Sequence, residues 1–196
     1  GYRAHFPEII ITLKANPEDE PILEEASKIV REKLTYILLN KPKKLALNTE
    51  RRTKKSAMTL VSSACKEKVF PIDKLNQSES GLIIFTNDHV LAKKITNKNQ
   101  KIKSIYQVTL NKEISADDIL NLKKGIDING WKHKLTSISF LKKRYELGIE
   151  QSQGGIKILK LLFKKLNYDI IYLDRVLLAG ITKKNLPRNK FRSLTQ

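Results

Sequence analysis

The stretch Asp73-Lys74-Leu75-Asn76-Gln77-Ser78-Glu79-Ser80-Gly81-Leu82-Ile83-Ile84-Phe85-Thr86-Asn87-Asp88 passes from a polar loop into an apolar run and out again. Leu82 to Phe85 is continuous and bulky, the pattern of a strand covered on both faces. Asn87 or Asp88 then stands in position to cap a helix carrying Val90, Leu91, Ala92 and Ile95. Asn76 lies in the polar stretch upstream of this strand.

Working outward, Tyr36-Ile37-Leu38-Leu39-Asn40 reads as a second buried strand, stopped by Lys41-Pro42. Residues 43–55 are polar and basic, with Arg51, Arg52, Lys54 and Lys55 close together, as a solvated loop or a phosphate-contacting one. A short helix is expected within Ser56 to Cys65. Downstream, Ile102 to Leu110 alternates as a strand, Ser115 caps a helix through Leu122, and Gly125 ends it. Ile126 to Ile128, Trp131 to Leu141 and Lys143 to Ile149 read as strands. Gly154-Gly155 opens a helix through Leu166, and Tyr168 to Leu178 is a further strand. Strands and helices mix without regular alternation, so the expected class is α+β with a largely antiparallel sheet. Residues 1–35 read as an acidic strand–helix extension, either a lobe of its own or packed on the main domain: a strand at Ile9 to Leu13, then a helix opened by Asn16-Pro17-Glu18-Asp19-Glu20 with apolar residues at helical spacing.

The net charge of +18 is unevenly placed. Residues 1–35 hold 5 basic and 7 acidic side chains, whereas residues 36–196 hold 33 and 13, a net of +20. A region that basic suits a polyanion, nucleic acid first. With 30 Lys against 8 Arg, AT-rich codon usage is the other source of such a balance. No apolar run approaches the roughly 20 residues that span a bilayer, and no signal peptide pattern is visible. The single Cys65 permits no internal disulfide and fits a reducing compartment, the cytoplasm. His5, His89 and His133 are scattered, and no Cys/His spacing suggests a metal site.

The segment at 73–88 resembles, without a gap, the bacterial rRNA pseudouridine synthase signature G-R-L-D-x-x-T-x-G-L-L-L-L-T-N-D. Three further blocks follow the same family. Tyr36 to Lys43 is similar to its strand ending in N-K-P, and Lys103-Ser104-Ile105-Tyr106-Gln107-Val108 to its K-x-Y-x-V. Residues from about Gln153 to Thr195 are similar to its late basic motif, its R-L-x-R strand (here Tyr172-Leu173-Asp174-Arg175) and its L-P-x-G-K-W-R-x-L tail. The resemblance, over residues 36–195, implies a catalytic-domain fold with a mostly antiparallel central sheet in two halves around a basic, RNA-binding cleft. It implies no cofactor. The small N-terminal RNA-binding domain common in the family has no counterpart in residues 1–35.

The resemblance also implies site residues. Asn76 stands where the family has its nucleophilic aspartate; an amide carries no charge and is a poor nucleophile. Tyr106 matches the tyrosine that packs against the flipped base, or is an ordinary strand tyrosine, and Arg175 matches the late strand arginine. Asp73 replaces a glycine, Lys74 an arginine and Glu79 a threonine. In the late basic motif Gly155, Lys157, Lys160 and Leu161 replace arginines, one of which pairs with the family's aspartate. Lys41, Lys43, Arg51, Arg52, Lys54, Lys55, Lys74, Lys157 and Lys160 are the expected RNA contacts. Asn40, Lys41 and Pro42 also admit a purely structural reading. Three functions remain open at this point. One is an RNA-binding protein of this fold that has lost catalysis and sits on ribosomal RNA as a structural or assembly component. Another is an active synthase using Asp73, Glu79 or Asp88. The third is a protein adaptor using the acidic helix at 18–34.

Overall fold

The computed structural model describes residues 34–47, 56–97 and 100–194. The acidic extension up to residue 33 and the loop with Arg51, Arg52, Lys54 and Lys55 lie outside them. Strand β1 (Tyr36–Lys41) leads through helix α1 (Ala57–Ser62) and β2 (Phe70–Ile72) to β3 (Ser80–Thr86). Helix α2 (His89–Thr96), β4 (Ser104–Leu110) and helix α3 (Ala116–Lys124) follow. Then come β5 (Ile126–Ile128), β6 (Trp131–His133), β7 (Ser137–Phe140), β8 (Glu146–Gln151) and helix α4 (Gly155–Lys165). The described chain closes with β9 (Ile170–Leu178), β10 (Ile181–Thr182) and β11 (Phe191–Ser193).

Nine strands form one sheet in the order β11-β1-β3-β9-β4-β8-β7, with β2 added to β3 and β10 to β9. Every pairing is antiparallel except β3 with β9, which are parallel and share only two registered pairs, Ser80↔Asp174 and Gly81↔Arg175. That short junction is a seam between two antiparallel halves, and the two strands diverge beyond it.

Both faces of the first half are covered, which explains its continuous apolar runs. On one face Ile37, Leu39, Ile83 and Phe85 join Tyr106, Val108, Leu147, Ile149 and Leu173 under α1 and α4. On the other, Leu38, Leu82 and Ile84 pack with Ile72, Ala92, Leu178 and Leu186. Helix α4 buries Ile156, Leu159, Leu162 and Phe163, one stripe at helical spacing. Such side chains contribute roughly 1.5–3 kcal/mol each before chain entropy is set against them.

The expected helix caps are present: the Asp88 carboxylate accepts from Leu91 N at 2.9 Å, Ser115 accepts from Asp118 N, and Gly125 ends α3 with φ 103°. The single strand expected over Trp131 to Leu141 is instead two, because the buried Leu135 turns inward and donates its amide to Leu122 O at the end of α3. The strand expected from Lys143 starts later, at Glu146, since Leu141 N and Glu146 O close a hairpin there. Among the described residues no helix is long and apolar enough to cross a membrane.

Candidate active site at the sheet seam

Gly81 makes the seam possible. It has φ +110°, and a Cβ there would lie 2.3 Å from the backbone N and O of Arg175. Only a residue without a side chain lets β3 and β9 approach so closely. The loop entering β3 is therefore held directly over Arg175.

Arg175 is fully buried. Its Nε donates to Leu82 O at 2.7 Å, and its Nη1 donates to the Asp73 carboxylate at 2.5 Å. Asp73 is partly open to solvent, with 41% of its side chain exposed. Its backbone is left-handed, φ 68°, at the position where the matched signature has glycine. A buried guanidinium needs a counter-charge, and Asp73 supplies it. Opposite Arg175 in the ladder stands Tyr106, also buried, beside a register shift at Ile105/Tyr106. Burial pushes the Tyr106 phenol above its ordinary pKa, and the positive charge of Arg175 works against that shift.

The loop between Asp73 and Glu79 is pinned at several points. Leu75 is buried in the main core. Asn76 N donates to the Glu79 carboxylate at 2.7 Å, Glu79 N donates to Asn76 O, and Lys44 N donates to Gln77 O. Glu79 is itself buried and pairs with Lys160 of α4 at 2.5 Å. Asn76 is exposed on this rigid loop, so the site presents an amide at 76 and a carboxylate at 73. Of the three carboxylates considered as substitutes, Glu79 is taken by Lys160 and the Asn76 amide. Asp88 caps α2 and accepts from the Tyr36 hydroxyl at 2.7 Å. Asp73 alone of the three lies on Arg175. The arginine that carries this ion pair comes from β9, not from the late basic motif on α4.

A second polar network occupies the opposite face of β9, since adjacent strand residues alternate. Asp174 is fully buried. It accepts from Arg188 Nη1 at 2.8 Å and Nη2 at 3.0 Å, from Lys183 Nζ and from Ser80 Oγ at 3.1 Å. Burial pushes this carboxyl up, but the hydrogen bonds and charges of Arg188 and Lys183 outweigh it and hold the pKa below its ordinary value. Arg188 also donates to Asn40 Oδ1 at 2.7 Å, and Asn40 Nδ2 donates to Leu186 O at 2.8 Å. Asn40 thus ties β1 to the C-terminal loop. The sequence reading passed over Asp174, Lys183 and Arg188 as site-shaping residues. The adjacent charges Asp174 and Arg175 inside a mostly apolar strand were the available signal, because a buried charge must be paired.

Lys41 corrects an expectation. Counted among the RNA-contacting cations, it is instead fully buried. Its Nζ donates to Pro42 O at 3.1 Å and Leu45 O at 2.9 Å, so it is out of reach of a phosphate. Burial lowers its pKa to about 8, with Glu79 opposing and Arg188 adding to the fall. The folded value lies below the unfolded one, so this group's stabilising contribution is complete above about pH 10.5 and is lost as pH falls through about 8. Stability of the native protein relative to Lys41→Met is therefore expected to rise by up to about 3 kcal/mol across that window. Denaturant titrations at stepped pH read it out, and a pH-independent difference would contradict the burial.

The other cations expected to contact RNA that lie among the described residues are at least partly exposed. Lys74 and Lys157 are exposed. Lys43 is exposed too, with its Nζ 4.6 Å from the Tyr172 ring centre and 3.2 Å from Ile171 O. Lys160 remains 38% exposed while paired to Glu79. Trp131 is exposed on the β5–β6 hairpin and is not a core residue.

Two antiparallel half-sheets meeting at a parallel seam, with an arginine, a tyrosine and an acid gathered there, define the fold class of the RNA pseudouridine synthases. A family model described as RNA pseudouridylate synthase matches residues 35–167, and the chain belongs to that family. It is similar to an uncharacterized RNA pseudouridine synthase of Borreliella burgdorferi, 28% identical over 158 residues, covering 80% of this chain and 63% of that relative. It is also similar to the dual-specificity RNA pseudouridine synthase RluF of Escherichia coli, 27% identical over 166 residues, covering 84% of this chain and 56% of RluF. The chain thus spans less than two thirds of the length of these two relatives. A crystal structure of a pseudouridylate synthase shares the fold with a TM-score of 0.69 at 20% identity, covering 84% of this chain and 71% of that one.

Proposed function

We propose that this chain binds structured RNA, ribosomal RNA foremost, across the seam, and that it does so without isomerising uridine. In this reading it is a structural or assembly component of the ribosome, acting in the cytoplasm. The supporting observation is that the matched position of the nucleophile carries an exposed amide, Asn76, while the counter-charge of Arg175 comes from Asp73. The excess of cations over residues 36–196, with Lys43, Lys74 and Lys157 exposed, supplies the attraction for phosphate.

Filter binding to ribosomal RNA tests the first half. Phosphate neutralisation releases counterions, so affinity is expected to fall on the order of a hundredfold or more between about 50 and 200 mM salt. Charge reversal of Arg51, Arg52, Lys54 and Lys55 should weaken binding to most RNAs alike, because phosphate contacts carry little sequence information. Affinity indifferent to salt would overturn the reading.

One observation favours a second reading, an active isomerase: the partly exposed Asp73 carboxylate is held on Arg175, the ladder partner of Tyr106. Tritium release from ribosomal RNA labelled at uridine C5 separates the two. The first reading expects none. The second expects release that Asp73→Asn abolishes while RNA binding persists.

A further inference from the structure

Helix α4 carries a row of cations that its packing does not require. Ile156, Leu159, Leu162 and Phe163 turn into the core, so Lys157, Lys160 and Lys164, spaced i, i+3 and i+7, share a face outside that stripe. Lys157 and Lys164 are exposed, and none of the ion pairs among the described residues includes either. A cation in the last turn, such as Lys164, suits the negative end of the helix dipole, but Lys157 in the first turn opposes the positive end. No acid stands in that turn to offset it. The row touches the seam through its middle member. Lys160 pairs with one carboxylate oxygen of Glu79 at 2.5 Å, and the other oxygen accepts from Asn76 N at 2.7 Å.

At its C-terminal end the row meets the β5–β6 hairpin. Lys165, about 7.5 Å along the helix axis from Lys160, donates its Nζ to Asp127 O at 2.7 Å. A groove lies there between Leu161 and Lys164 of α4 and Ile128 and Asn129 of the hairpin. Ile128 and Trp131 are directly opposed across the Asn129-Gly130 turn, and opposed residues of an antiparallel pair project to the same face. Trp131 therefore projects on the face that carries Ile128 against α4, yet it is 75% exposed, so the core does not claim its ring. The acid of this groove, Asp127, has its carboxylate engaged in the turn, where it accepts from Gly130 N at 3.0 Å.

We propose that α4 and the β5–β6 hairpin form an arm that holds RNA beyond the seam. Lys157, Lys160 and Lys164 contact backbone phosphates, and the Trp131 indole stacks on an unpaired base. The inference rests on the RNA-binding reading above. RNA is favoured over an acidic protein because the cation row is continuous with the seam and ends beside an exposed indole, whose ring face fits any base.

Trp131 is the only tryptophan of the chain, so its fluorescence reports the contact. Titrating the full chain with purified ribosomal RNA is expected to quench that emission and shield it from acrylamide, with the midpoint seen in filter binding. Trp131→Ala should weaken binding about tenfold and leave its salt dependence unchanged, while Trp131→Phe, which keeps a ring, should recover most of the loss. Lys157→Gln/Lys164→Gln should flatten the slope of log affinity against log salt by about 1.5, the effect of two lost phosphate contacts. Lys142→Gln/Lys143→Gln, in the exposed β7–β8 turn, removes the same charge and should leave the slope as it is. All these side chains are exposed, and thermal melts matching the native protein check that each variant is folded. Emission indifferent to RNA that filter binding shows to be bound, native affinity in Trp131→Ala, or equal loss in Trp131→Ala and Trp131→Phe overturns the stacking contact and with it the arm. A slope flattened equally by both lysine double variants, or by neither, overturns the phosphate row. In each of these cases the native protein still binds RNA; failure of the native protein to bind it overturns the underlying reading instead.

Discussion

Replacing Gly81 with alanine is expected to cost about 4 kcal/mol or more, among the larger effects a single substitution produces. The new Cβ would lie 2.3 Å from both the backbone N and O of Arg175, at φ +110°. Neither atom can retreat, because both belong to a central strand paired to β4 on its other side. The only relief is separation of the two half-sheets, which removes the seam and the Asp73–Arg175 pair together. In thermal unfolding this corresponds to a fall of roughly 8–16 °C for a chain of this size. Gly130→Ala is the control: it has φ +80° and nothing within 4 Å of a Cβ, so it should cost only about 1–2 kcal/mol of left-handed backbone strain. Equal losses for the two variants would show that β3 and β9 do not meet as described.

Asp174→Asn is expected to cost about 3 kcal/mol. Removing one partner of a buried ion pair typically costs about 3–5 kcal/mol, and the lower end applies because Arg188 and Lys183 retain 36% and 32% exposure and can turn to water. The loss should be uneven along the chain. Arg188 reaches both Asp174 and Asn40, so releasing it loosens the C-terminal loop from β1, and limited proteolysis should cut there first. The pH dependence follows from the depressed pKa of Asp174. Its contribution is complete above the ordinary carboxyl range, near pH 4, and is lost as pH falls through the lower folded value. The stability gap between native protein and variant should therefore be constant at neutral pH and close below about pH 4. A gap that persists unchanged into strong acid would mean that Asp174 is not the charged hub of this network.

Helix α3 and the β3–α2 unit were legible in the sequence residue by residue. Ser115, Gly125 and Asp88 act on backbone groups within a few positions of themselves, and the apolar run from Leu82 to Phe85 reports burial on both faces without reference to anything distant. The order of four motifs along the chain carried the family and the two-half sheet. Where local pattern failed, a tertiary contact intervened: the alternation from Trp131 to Leu141 is strand-like throughout, but the docking of Leu135 on the end of α3 breaks it. The short strands β2, β10 and β11 carry too few residues for a period to register.

The sequence by itself thus determined the α+β class and the family, because periodicity, capping and motif order are local properties of the chain. Only the tertiary structure decided where the remaining charges go. Asp73 and Arg175 are 102 residues apart and meet because Gly81 lets two strands close on one another. Lys41 looks like a surface cation in sequence and is buried in the fold. A charge is placed by the partner that offsets its desolvation, and that partner is set by packing between strands distant in sequence.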